Sequence, residues 1–202
     1  MVGAEYTRVS SPTPTKDKTK TDTTFLNYAI MNYKAKLHDI KAFVFDFDGV
    51  MTNGDVWTYA DRETVRCGNI KDGYAIQYAV KKGYILAVIS GATSQSINNR
   101  MEALGVKQIY TSCANKMETY RKFLENNGLS ESQVLYMGDD IPDYEIMCHC
   151  GVATCPADAA VEIKEIADYI SICNGGKGCV RDVIEQTLRL HGQWFHSDAV
   201  NW

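Results

Sequence analysis

The sequence predicts a doubly wound, Rossmann-like α/β domain, a mainly parallel sheet covered by helices on both faces, and three observations predict it. Short apolar runs of about strand length recur along the chain. Between them lie segments whose apolar residues fall at helical spacing, several of them closed by glycine. The runs also end on acidic or small polar residues, namely Asp46 and Asp48, Ser90, and Asp139 with Asp140. In a parallel sheet with right-handed crossovers those ends share one edge, and that edge is where such folds bind ligands.

A chain of 202 residues with 45% hydrophobic side chains is long enough for one sizeable core. The net charge of −4, with Lys and Arg spread along the chain, gives no footing for nucleic acid or an anionic membrane surface. No stretch approaches the roughly 18 apolar residues of a membrane span. The segment Met1-Val2-Gly3-Ala4-Glu5-Tyr6 has no basic region leading into an apolar one, so a cytoplasmic location is expected. Seven cysteines, an odd count with no disulfide-like framework, are then expected to be free thiols.

Residues 1–24 are rich in Thr, Ser, Lys and Asp and poor in large apolar groups, and a disordered tail is predicted there. The domain proper is expected over 25–190. It begins with an amphipathic helix from Phe25 to Leu37, on which Leu26, Ala29, Ile30, Tyr33 and Leu37 share a face. The run Phe43-Val44-Phe45 follows as a buried strand. The turn signals Asn53-Gly54-Asp55 and Ala60-Asp61 separate Val56–Tyr59 from Thr64–Cys67, the pattern of a β-hairpin. That hairpin would stand over the sheet edge as a flap. Helix is then predicted from Tyr74 to Lys82, strand from Tyr84 to Ile89, helix from Ser94 to Leu104 and strand from Gln108 to Thr111. A helix over 115–127 and a strand over 133–137 come next, with Pro142 suited to the first turn of another helix. Short strands at 152–154 and 169–171 flank a helix over 157–166, and a last helix runs from Lys177 to Leu190. Residues 191–202 form an aromatic C-terminal tail, expected to dock on its own domain or on a neighbour.

The motif Asp46-Phe47-Asp48-Gly49-Val50 is the centre of the chemistry. Alternation sends Asp46 and Asp48 to the same side of the strand end. Carboxylates so close repel one another and call for a cation, a shared proton or a phosphoryl group. Ser90 can donate to a phosphoryl oxygen, and Lys116 supplies a positive charge. Mg2+, a hard ion taking oxygen ligands, would relieve the repulsion among Asp46, Asp48 and Asp139. Together these groups suit phosphoryl transfer.

In this order the motifs resemble those of the haloacid dehalogenase superfamily: Asp46-Phe47-Asp48-Gly49-Val50, Ser90, Lys116, and Gly138-Asp139-Asp140 with Asp143. The resemblance implies that Asp46 is a nucleophile forming an aspartyl-phosphate and that Asp48 is the general acid and then base. It also implies Mg2+ held by the Asp46 side chain, the Asp48 carbonyl and Asp139. Neither gap between motifs has room for a cap domain of about 50 residues, so a capless, HAD-like enzyme is expected. Asn69-Ile70-Lys71-Asp72-Gly73-Tyr74, Asn98-Asn99-Arg100 and Gly175-Gly176-Lys177-Gly178 are in turn similar to the 3-deoxy-D-manno-octulosonate 8-phosphate (KDO8P) phosphatases. That narrower resemblance implies a homotetramer and a phosphorylated 2-keto-3-deoxy sugar acid as substrate. Asp48, Asn69, Ile70, Lys71, Asp72, Gly73, Arg100 and Lys116 are implied to line the substrate pocket. Ala92 and Lys71 stand where Arg is common, which keeps a nine-carbon sugar acid phosphate of the sialic acid type in view. A noncatalytic tetramerising module would have no physical reason to carry the full set Asp46, Asp48, Ser90, Lys116 and Asp139.

Bland readings are assigned to the remaining features. Gly175 to Gly178 read as a flexible turn opening the last helix, and Cys148-His149-Cys150 with Cys155 as packed thiols rather than a zinc site. Arg62 and Arg66 read as solvated hairpin residues. Of Asp140 and Asp143, one is expected to cap a helix and the other to orient the metal.

Overall fold

The computed structural model describes residues 33–60 and 62–200; the tail predicted over 1–24 and most of the helix predicted from Phe25 lie outside them. Strands β1 (Ala42–Phe45), β4 (Ile85–Ile89), β5 (Gln108–Tyr110), β6 (Val134–Met137), β7 (Val152–Cys155) and β8 (Tyr169–Ile170) form one sheet in the order β5-β4-β1-β6-β7-β8. Every neighbouring pair is parallel. The chain lays β4 and β5 on one side of β1 and then returns to lay β6, β7 and β8 on the other. The direction of winding thus reverses beside β1, which opens a crevice at its carboxyl end.

The pleat of β1 divides the core in two. Phe43 and Phe45 enter an apolar cluster on one face, Ala42 and Val44 enter another on the opposite face, and all four are fully buried. Helices α1 (Ile70–Lys81), α2 (Gln95–Ala103) and α6 (Cys179–Leu190) cover the Phe43 face. Helices α3 (Lys116–Asn127), α4 (Tyr144–His149) and α5 (Val161–Ile166) cover the other. Burying aromatic side chains such as Phe43 and Phe45 stabilises the domain by about 2–3 kcal/mol each.

Several boundaries differ from expectation for local reasons. Helix α1 starts at Ile70 rather than Tyr74, because the Asn69 side chain caps it by accepting from the amides of Lys71 at 2.8 Å and Asp72 at 3.4 Å. A glycine in the first turn, Gly73, does not stop a helix that is capped and packed. The hairpin pairs β2 (Trp57–Tyr59) with β3 (Arg62–Val65), two residues earlier than predicted. Helix α5 is shorter than the predicted 157–166, and α6 begins at Cys179 after Gly176 and Gly178, both at positive φ.

The glycine loop before α6 is not a free turn. A Cβ on Gly175 would lie 1.9 Å from the carbonyl oxygen of Gly49, and one on Gly176 would lie 2.6 Å from the amide of Asn53. The Gly176 amide donates to Val50 O at 2.9 Å, and the Cys179 thiol donates to the same oxygen at 3.2 Å. Backbone therefore packs on backbone beneath the loop that follows Asp48.

The C-terminal segment folds back on its own domain. Trp194 meets Tyr78 edge-on at 5.4 Å and lies under the Arg181 guanidinium, also at 5.4 Å. Asp198 accepts from Tyr78 Oη at 3.1 Å and pairs with Lys82 at 2.7 Å. Among the described residues no helix is long and apolar enough to cross a membrane.

Candidate active site

Asp46 leaves the end of β1 with its amide donating to Met137 O at 3.0 Å, so its backbone is fixed by the neighbouring strand β6. Its Oδ1 lies 3.0 Å from Lys116 Nζ, and the same ammonium is 2.8 Å from Asp143 Oδ1. Lys116 is delivered by the N-terminus of α3, whose cap is Asn115 accepting from the Glu118 amide at 3.0 Å. Asp139 follows β6 and lies across Gly49: a Cβ there would sit 1.9 Å from Asp139 Oδ2. Gly49, at φ +83°, both turns the chain and leaves room for that carboxylate. Carboxylate oxygens of Asp46, Asp139 and Asp143 all fall within 4.8 Å of one another.

Of the two uncertain acids, Asp140 is the cap, accepting from the Ile141 amide at 2.9 Å. Asp143 is fully buried and accepts from Lys116, from Tyr136 Oη at 2.6 Å and from the Asp139 amide at 3.2 Å. Both of its oxygens are engaged. It therefore sets the Asp139 backbone and the Lys116 ammonium beside the ion site, rather than offering a free oxygen to an ion.

The electrostatics follow from crowding acids out of water. Burial and the nearby Asp143 push the Asp46 carboxyl up to about 8, against the pull of Lys116. Burial, with Asp143 and Asp140, pushes Asp139 up to about 7. For Lys116 burial acts to lower the pKa, but Asp46 and Asp143 outweigh it and hold the ammonium above its ordinary value. One cation is not enough for three carboxylates. An all-oxygen donor set at this spacing fits a hard divalent ion such as Mg2+, with Asp46 and Asp139 as side-chain ligands. The Asp48 carboxylate lines the same cleft and accepts from Arg66 through Oδ1, but it is not one of this cluster.

A cleft of about 570 Å³ opens on this cluster, lined among others by Asp46, Asp48, Ser90, Ala92, Lys116 and Pro142. Ser90 is buried at the end of β4, where its Oγ accepts from the Ala92 amide at 3.1 Å. A larger groove of about 890 Å³ lies at the opposite, amino-terminal ends of the strands beside Lys41, Ile85 and Gln133. It contains no acid cluster, and chemistry rather than size assigns the site.

Six of the expected substrate contacts lie elsewhere. Asn69, Asp72, Gly73 and Arg100 border a separate small cleft with Phe47 and Met101, while Ile70 and Lys71 are exposed on the first turn of α1. Asp72 is 2% exposed, and its Oδ1 accepts from the Arg181 amide at 2.7 Å, so it caps α6 from the side. Arg100 closes over Gly73, its Nη2 only 2.5 Å from where a Cβ would stand. Asn69 to Gly73 form the cap and first turn of α1, outside the lining of the cleft that holds Asp46. Arg66 is a second correction: it is no solvated hairpin residue but donates from Nε to Asp48 Oδ1 at 2.6 Å. Only the charge complementarity of Arg66 with Asp48 could have suggested this in the sequence. The position of Arg66 past the strand end hid the distance.

Comparison with known proteins agrees with this architecture. A family profile described as haloacid dehalogenase-like hydrolase matches residues 108–184. The 3-deoxy-D-manno-octulosonate 8-phosphate phosphatase KdsC of Escherichia coli K12 is 30% identical over 159 residues, covering 79% of this chain and 85% of that one. The crystal structure of the corresponding phosphatase from Yersinia pestis superposes with a TM-score of 0.79 at 27% identity, covering 80% of this chain and 88% of that one. The Moraxella catarrhalis phosphatase, in complex with magnesium ion, phosphate ion and KDO, gives 0.76 at 27% identity over 78% and 91%.

Proposed function

The chain belongs to the KDO8P phosphatase family of haloacid dehalogenase-like hydrolases, and from that membership we propose that it is a Mg2+-dependent phosphatase releasing phosphate from 3-deoxy-D-manno-octulosonate 8-phosphate. The observation that carries the proposal is the cluster of Asp46, Asp139 and Asp143 around Lys116 at the floor of the cleft. Mg2+ in it would neutralise the acids and the incoming phosphoryl group.

The residues then divide the work. An Asp46 oxygen attacks phosphorus while the bond to the sugar oxygen breaks, and Asp48 gives its proton to that oxygen. The products of this step are the free sugar acid, an aspartyl-phosphate at Asp46 and an ionised Asp48. Asp48 next takes a proton from water as the hydroxide attacks phosphorus, which returns Asp46 to carboxylate and releases phosphate. Ser90 and Lys116 hold phosphoryl oxygens from two sides. Lys116 also works against the burial and the Asp143 charge that raise the Asp46 carboxyl.

The cleft has no cap of its own chain over it among the described residues, and a second copy is proposed to close it in a homotetramer. Support comes from the flap, where Val56, Trp57, Tyr59 and Val65 are all exposed. In such an assembly Ile70, Lys71 and Arg100 would serve the sugar acid at a shared edge. Seven free cysteines support a cytoplasmic location. The deciding assay measures phosphate release from the eight-carbon 8-phosphate and from a nine-carbon 2-keto sugar acid 9-phosphate, each with Mg2+ and with EDTA. Mg2+-dependent turnover of the former by at least about tenfold in kcat/KM over the latter is the expected result. The reverse order would move the assignment to the longer sugar, and no release from either would end it.

A further inference from the structure

Asp46 and Asp48 are two residues apart, yet each is matched to a different cation. Lys116 takes Asp46 at 3.0 Å, whereas Arg66 takes Asp48 at 2.6 Å. Arg66 follows β3, and its Nη1 donates to Thr64 O at 3.3 Å, so the guanidinium is anchored to its own strand end. The Arg66 side chain is 12% exposed and that of Asp48 34%. What brings the two together is an isolated antiparallel bridge between Thr52 and Gly68, which pinches the ends of the hairpin excursion. Arg66 stands two residues before one end of the pinch and Asp48 four before the other. The pair is partly buried, with Arg66 the more sheltered partner. Its consequence is orientation.

We propose that Arg66 is a positioning residue for Asp48: it fixes one carboxylate oxygen, Oδ1, so that the other carries the proton to and from the leaving oxygen. Without it the Asp48 side chain would have free rotation in a cleft open to water, and would spend little time in line with the breaking bond. The inference rests on the phosphatase reading above, and it differs from a role in gripping substrate or merely stapling the hairpin. A gripping residue would change affinity for every phosphate ester. A staple would change folding and leave the leaving group irrelevant. A residue that orients the acid changes the rate only where the departing oxygen needs a proton.

The test uses the full-length protein with Mg2+ and two esters of one shape, phenyl phosphate and 4-nitrophenyl phosphate. Single-turnover release of the phenol isolates phosphoenzyme formation from the later hydrolysis. Phenolate is a poor leaving group and needs the proton, while 4-nitrophenolate departs without it. In Arg66→Gln, release from phenyl phosphate is expected to fall on the order of 10²-fold. Release from 4-nitrophenyl phosphate should change by less than about threefold, as should KM for the sugar acid phosphate. Arg66→Lys, which restores a positive charge, should recover most of the loss. Equal losses on the two esters, a rise in KM alone, or no loss at all would each overturn the role given to Arg66. A wild-type protein that cleaves neither ester nor the sugar acid phosphate would overturn the phosphatase reading itself, and Arg66 with it.

Discussion

At the scale of single residues, the acids of the cleft work against the fold. The folded pKa of Asp46, about 8, and that of Asp139, about 7, both lie above the ordinary value of 3.8. The native state therefore holds protons that the unfolded chain has released. The stability tied to them is present in full below about pH 4 and is lost as pH rises through 7 and 8. In EDTA, the melting temperature should accordingly fall between pH 6 and pH 8.5, and Mg2+ should raise it more at pH 8.5 than at pH 6. A metal-free melting temperature that climbs over that interval would contradict the assignment. Asp46→Asn should abolish phosphate release while raising, or leaving unchanged, the melting temperature in EDTA at pH 8, since it removes a repelling charge. Lys116→Ala acts in the opposite sense. It strands Asp46 and Asp143 beside each other out of water, and a loss of about 3–5 kcal/mol in metal-free stability is expected from denaturant unfolding.

Among the elements, the glycine loop before α6 and the loop after Asp48 pack as one piece. Gly175→Ala puts a methyl group where the Gly49 carbonyl already is, so one backbone must retreat. A cost of about 2 kcal/mol or more is expected, together with a drop in kcat because Gly49 adjoins Asp48. Full activity with wild-type stability would show that the two loops move independently. This contact was not legible in the sequence, where Gly175 to Gly178 read as an ordinary turn. The strands were legible, since each is a short apolar run ended by polar residues, and so were Asp46, Ser90, Lys116 and Asp139, which follow strands or open a helix. What escaped were pairings across long separations, such as Asp72 with the start of α6, and the start of α1, where Asn69 outweighs a glycine in the first turn. Local pattern carries information about the face a residue takes. It carries none about which distant group completes its hydrogen bonds.

For the molecule as a whole, the ends of the chain and the flap decide what surface is left for other copies. Trp194 seals α1 and α6 under two arginines, Arg181 and Arg189, so Trp194→Ala should lower stability by about 1–3 kcal/mol, measured by chemical unfolding, with kcat nearly unchanged. Trp57, 65% exposed on the flap, should matter in the converse way. On the homotetramer proposed above, Trp57→Lys is expected to leave each subunit folded but to shift the mass by light scattering toward smaller species, and an unchanged mass would place the interface elsewhere. The domain's two-faced core was readable from alternation along Phe43 to Phe45, whereas the docking of residues 193–199 depends on where Tyr74 and Tyr78 stand after folding. The bridge between Thr52 and Gly68 has one more outcome. Because it brings the two stems of the hairpin side by side, the tip near Ala60 hangs from the protein by a closed neck. A reporter peptide or a whole extra module spliced in there would not stretch the floor on which the acids stand.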